Sequence, residues 1–171
     1  PTVKTKSRTI VNPEPPVLLK DVKVDNFLRF NTGLPELDRV LGGGIVPGSV
    51  VLIGGDPGIG KSTICLQICA QLSVSGKKVL YITGEESVSQ TKLRAARISS
   101  LEGANGLFIV NQTDIGLIEE SINKLSPEVV IIDSIQVIFN PEFDSSPGSV
   151  SQVRDCTGLS LIHISEPTRQ A

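Results

Sequence analysis

The chain has 171 residues, 39% of them hydrophobic and 20% charged, with a formal net charge of -2. That is enough for one folded domain with its own core, and the mild negative charge excludes recruitment of nucleic acid through a global positive field. No apolar run approaches the roughly 18 residues of a membrane helix, and the basic opening "PTVKTKSRTI" lacks the apolar core of a secretion signal.

There is no methionine and the chain starts at Pro1, so it reads as an internal piece of a longer protein. Residues 1–28 read as a linker arm, in which "NPEPPVLLKDVKV" sets three prolines before a short apolar stretch that could dock on something. The texture changes from Phe30. The run "VVLI" at 50–53, between glycines, predicts a strand buried on both faces. From Lys61 to Leu72, Cys65, Ile68, Cys69 and Leu72 recur at helical spacing. "VLYIT" at 79–83 and "LFIV" at 107–110 predict strands, separated by a helix over 88–101. Asp114 can cap the next helix, whose Ile115, Ile118, Ile122 and Leu125 share one face, with Glu120 and Lys124 as an i,i+4 pair and Pro127 as the stop. "VVIID" at 129–133 predicts the most apolar strand. Strands alternating with helices predict an α/β fold with a mostly parallel sheet sandwiched by helices.

Two features stand apart. Cys65, Cys69 and Cys156 form no disulfide framework; Cys65 and Cys69 have a spacing open to metal ligation but read as two small buried apolar residues, and reduced thiols suit the cytosol. The segment "LSLIHISEPTR" at 159–169 has no place in this pattern and matches the translation of a common transposase-based sequencing adapter. Residues 158–171 are therefore expected to be a non-native tail, in which His163, the only histidine, carries no chemistry.

The chemistry concentrates in "GGDPGIGKST". Gly55, Asp56, Pro57, Gly58, Ile59, Gly60, Lys61, Ser62 and Thr63 fit G-x-x-x-x-G-K-[ST] with one residue beyond it. Glycines let backbone N–H groups converge on phosphate oxygens, Lys61 can reach the β and γ phosphates, Ser62 can ligand Mg²⁺, and the helix that follows adds its positive end. Asp133 closes the strand at 129–133, at the carboxyl edge of a parallel sheet where ligands bind, and suits a second Mg²⁺-associated group. Glu85 and Glu86 follow the strand at 79–83, and a carboxylate there could take a proton from the water that attacks the γ-phosphate. Residue chemistry does not choose between the two, and a solvated acidic turn is the plainer reading of both. The polar segment at 140–156 is a long loop in which Ser149, Ser151, Gln152 and Arg154 could meet phosphates or bases, or which is simply mobile. The pattern Asn111-Gln112-Thr113 is a chance match to a glycosylation acceptor.

"RFNTGLPELDRVLGGGIVPGSVVLIGGDPGIGKST", "VLYITGEES", "VVIIDSIQV" and "SSPGSVSQVRDCT" occur in this order. Together they closely resemble the RadA (Sms) family, bacterial DNA-repair ATPases of the RecA superfamily, over residues 30–157. The resemblance implies a RecA-like P-loop ATPase core at 29–157, cut short at its C-terminal side, in a protein that forms cytoplasmic homo-hexameric rings. Such rings hydrolyse ATP with Mg²⁺ and move on single-stranded or branched DNA to drive branch migration. It makes Lys61 and Ser62 the nucleotide-binding residues and Asp133 the second magnesium-associated group. Glu85 becomes the catalytic carboxylate, with Glu86 second. Residues 144–149 would be a DNA-facing loop, with Ser146, Gly148, Ser149, Gln152 and Arg154 as candidate contacts. The family's four-cysteine zinc finger, its Lys-Asn-Arg-Phe-Gly motif and its Lon-like domain have no counterpart in these residues, so Zn²⁺ belongs only to the finger. Two other readings share the phosphate grip: a RecA-like signalling or clock ATPase that moves no DNA, and a small-molecule kinase, for which Arg94 and Arg97 are the only nearby arginine pair.

Overall fold

All five residues of Val79–Thr83, strand β1, are buried, as expected of a strand with neighbours on both edges and helices on both faces. The computed structural model describes residues 16–21, 28–98 and 101–141. Within them β1 is flanked by β2 (Leu107–Asn111) and β3 (Val129–Asp133), both parallel to it, in the order β2-β1-β3. The helices are α1 (Pro35–Val40), α2 (Lys61–Val74), α3 (Val88–Ile98) and α4 (Ile115–Leu125).

The period-two alternation of the strands sorts the core into two halves. Val79 and Tyr81 of β1, with Val129, Ile131, Leu107 and Ile109, pack against Cys65, Leu66, Ile68, Cys69 and Leu72 of α2 and Ala95 of α3. Leu80 and Ile82, with Val130, Ile132 and Val110, pack against Ile115, Ile118 and Ile122 of α4. The fold is thus the anticipated α/β sandwich, with α2 and α3 on one face of the sheet and α4 on the other.

Local chemistry explains the helix ends. The Asp114 carboxylate accepts from the backbone N–H groups of Gly116 at 2.8 Å and Leu117 at 3.4 Å, satisfying donors that the first turn of α4 leaves open. Ser126, at φ 49°, closes that helix before Pro127, and the Lys124–Glu120 pair forms on its exposed side at 3.4 Å. Helix α3 runs through Val88–Ile98 of the expected 88–101; residues 99–100 lie outside the described residues and Leu101 is not helical.

Two elements differ from the sequence expectation. The run at 50–53 forms no strand: Val50, Val51 and Leu52 are exposed, and Ile53 alone of the four packs on the core. A doubly buried strand needs a partner on its edge. Among the described residues β3 is bonded only to β1, and no ladder reaches this run. Helix α1 was not anticipated. It forms because Pro35 occupies the first turn and because the buried Asp38 carboxylate accepts from the Thr32 N–H at 2.9 Å and the Thr32 hydroxyl at 2.8 Å. An antiparallel bridge between Phe30 and Ile45 closes this unit ahead of the phosphate loop.

Of the sequence-based expectations, most of the 1–28 arm, the candidates Ser146, Gly148, Ser149, Gln152 and Arg154, and the 158–171 tail lie outside the described residues.

Candidate functional site

The phosphate loop runs directly into α2, which begins at Lys61 with Gly60 before it at φ 105°. That backbone conformation strains any residue with a Cβ, and a Cβ at Gly60 would otherwise meet nothing within 4 Å. The demand is therefore on the backbone rather than on packing. The first turn of α2 carries no acidic side chain, so its positive end is not neutralised locally. The Lys61 ammonium donates to the carbonyl oxygens of Gly55 at 2.7 Å and Asp56 at 2.8 Å. It lies across the loop with one of its three donors left for a phosphate oxygen.

Strand register brings the acidic groups to the same edge. Thr83 of β1 pairs with Asp133 of β3, so the carboxyl ends of the two strands are level. Alternation puts Asp133 on the face of Tyr81 and α2, and the Tyr81 hydroxyl donates to Asp133 Oδ2. The Tyr81 phenol is held protonated, its pKa raised chiefly by burial and further by that carboxylate. Cys65 of α2 and Tyr81 belong to one core cluster, so Asp133 stands on the sheet face that α2 covers, and its charge helps to raise the Cys65 thiol pKa. A hydroxyl and a carboxylate are hard oxygen donors, and Mg²⁺ at phosphate sites takes one or two protein oxygens beside those of the phosphates. The donor set at Ser62 and Asp133 fits that ion. No group of three or more His, Cys, Asp or Glu that could hold a metal by itself occurs among the described residues.

Glu85 and Glu86 lie in the turn between β1 and α3 and are held very differently. Glu85 is exposed and accepts from the Ser134 hydroxyl at 3.1 Å, beside Asp133 in sequence. Glu86 is pinned at its backbone and side chain alike. Its N–H donates to the Thr83 hydroxyl at 3.1 Å, its carbonyl accepts from Asn111 Nδ2 at 2.6 Å, and its Oε1 pairs with Arg94 at 2.9 Å. Asn111 and Arg94 were not singled out in the sequence as parts of this site. Gly84 makes the turn feasible, because a Cβ there would collide with Val137. A groove of about 300 Å³ between Phe30, Gln71 and Lys77 includes no residue of the phosphate loop, so strand register and side-chain chemistry, not concavity, locate the candidate site.

Comparison with known proteins agrees with this architecture. Residues 30–110 match a family described as "ATPase: KaiC". The chain is 49% identical over 156 residues to DNA repair protein RadA of Listeria monocytogenes, an alignment covering 89% of this chain and 34% of the relative. It is 50% identical over 152 residues to DNA repair protein RadA of Bacillus subtilis, covering 88% and 32%. With DNA repair protein RadA of Synechocystis it shares 44% over 173 residues, covering 91% and 34%. The chain spans about a third of the length of the curated relatives it matches.

Proposed function

We infer that this chain, a homologue of the RadA DNA repair proteins with a RecA-like ATPase domain, is the nucleotide-handling part of an ATP-driven motor that acts on DNA. The observation that carries the reading is the phosphate loop leading into α2, the helix that covers the sheet face of Asp133, with Glu85 and Glu86 following the neighbouring strand in register. In the full-length protein the motor is read as a cytoplasmic homo-hexamer on single-stranded or branched DNA, with branch migration as its output. Residues 29–157 are its ATPase core, and 158–171 are read as a non-native tail.

The chemistry is positioning plus electrostatics. Backbone N–H groups of 55–63 other than Pro57 and the start of α2 receive the phosphates, and Lys61 turns its remaining donor to them. Ser62 and Asp133 would hold a magnesium ion, directly or through water, whose charge would offset that of the β and γ phosphates. A carboxylate after β1 takes the proton of the attacking water. Ser146, Gly148, Ser149, Gln152 and Arg154 are assigned to DNA. The kinase reading loses its arginine clamp, because Arg94 is engaged with Glu86 and Arg97 Nε donates to the Leu93 carbonyl at 3.3 Å.

ATP turnover by the full-length protein, with and without single-stranded DNA, tests this. DNA is expected to raise turnover, and Lys61→Ala to lower it by about a hundredfold or more, as for loss of a charge-stabilising group. Normal turnover in Lys61→Ala rejects the site. Turnover indifferent to DNA favours the signalling ATPase, and phosphate appearing on a small acceptor favours the kinase.

A further inference from the structure

Glu85, Glu86 and Asp133 gather at one sheet edge, and like charges at such spacing repel unless a cation stands among them. Arg94, on the second turn of α3, is that cation. Its Nη1 donates to Glu86 Oε1 at 2.9 Å and its Nη2 lies 3.8 Å from Asp133 Oδ2, the oxygen that also accepts from Tyr81. The link is not arranged for stability alone. Glu86 Oε2 and Arg94 Nε are both buried without a hydrogen-bond partner, whereas an ion pair optimised for stability would satisfy both. Thr83 and Asn111 fix the Glu86 backbone, and its side chain can turn away from Asp133 only by breaking the Arg94 pair. Glu85 has no such tether; its side chain accepts from Ser134, and it is exposed.

We propose that Arg94 is a positioning residue for hydrolysis: it holds Glu86 as a strut against Asp133, and so leaves Glu85 as the carboxylate presented to the attacking water. This rests on the ATPase reading above. Arg94 joins α3, the β1–α3 turn and the end of β3 into one unit, so the orientation of Asp133 and the placement of Glu85 depend on it without Arg94 touching the reacting atoms.

The test uses the full-length protein with Arg94→Gln, Arg94→Lys, Glu86→Gln and the double Arg94→Gln/Glu86→Gln variant. It measures kcat for ATP hydrolysis, the affinity for a fluorescent ADP analogue with Mg²⁺, and thermal unfolding. Arg94→Gln is expected to lower kcat by roughly ten- to a hundredfold, as misplacement of reacting groups does. Affinity for the ADP analogue should stay within about threefold, since the phosphate loop is untouched. Glu86→Gln should lose a similar factor, the double variant no more than either single one, and Arg94→Lys should recover part of kcat. The proposal is overturned if Arg94→Gln keeps full kcat, or if affinity falls in step with kcat and lysine rescues nothing. It is equally overturned if Glu86→Gln abolishes turnover far beyond Arg94→Gln, which would make Glu86 the base. If Arg94→Gln does not fold, Arg94→Lys carries the same kcat and affinity comparison. Lys61→Ala separates the two levels: an inactive Lys61→Ala beside a fully active Arg94→Gln defeats this inference alone, and an active Lys61→Ala defeats the site beneath it.

Discussion

Adjacent residues of the same type can have unlike roles, and Glu85 and Glu86 are the case in point. Their order in the chain says only that both follow a strand. Their difference comes from partners distant in sequence, Arg94 and Asn111 for one and Ser134 for the other. The cysteines make the converse point. Cys65 and Cys69 have a spacing open to metal ligation but read as two small buried apolar residues, and both are buried free thiols of α2. Burial pushes the Cys65 thiol up to about 11, the Asp133 carboxylate adds to that and Arg94 opposes it. Cys69 is raised well above its ordinary value, first by burial and then by Cys65. Since the thiolate is the reactive form, Cys65 in the folded protein at pH 8 should alkylate roughly a hundredfold more slowly than in denaturant, and Cys69 more slowly still. Mass-spectrometric mapping of iodoacetamide adducts checks this; rapid modification of either residue in the folded protein would contradict the packing.

At the scale of elements, strands and helices with a strong period were legible. β1, β2, β3, α2 and α4 lie where apolar runs, helical spacing and the Asp114 cap predict them. The run at 50–53 was not, because its apolar character records a need for a neighbour and not the presence of one. Helix α1 escaped because six residues are too few to show a period. A long-range contact of the same kind ties the start of β3 to the α2–β1 connection: Glu128 Oε1 pairs with Lys77 at 2.8 Å and Oε2 accepts from the Lys78 N–H at 3.1 Å. These contacts, Lys77 first, lower the Glu128 pKa below its ordinary 4.5. A carboxylate with a depressed folded value contributes stability above its unfolded pKa and loses it as pH falls through the folded one. Glu128→Gln should therefore cost a few tenths of a kcal/mol near pH 7, a small figure because the pair is solvent-screened. That difference should fade as pH falls through the lowered folded pKa and the carboxyl becomes neutral in both states. Thermal unfolding across pH 3–7 reads it, and a difference that persists at acid pH would rule out the charge as its source.

For the whole chain, the net charge bears on the DNA contact proposed above. A chain at -2 does not draw DNA by its overall field, so the contact proposed for this chain has to come from a few local side chains. If Arg154 is one of them, Arg154→Ala should weaken single-stranded DNA binding similarly for all sequences and flatten the salt dependence of log K by about 0.7 for each phosphate that is no longer neutralised. Fluorescence anisotropy over a series of salt concentrations measures both quantities; an unchanged slope would remove Arg154 from the interface.

The sequence by itself determined the α/β class, the phosphate loop, the helix that follows it and the carboxylate at the end of β3. These are local: each depends on residue types within one turn or one strand. Only the tertiary structure decided that Asp133 stands on the sheet face α2 covers, that Glu86 is bound and Glu85 exposed, and that Arg94 stands among the carboxylates. Those facts follow from strand register and from which helix covers which face, and both are set by contacts between residues dozens of positions apart, which no local pattern encodes.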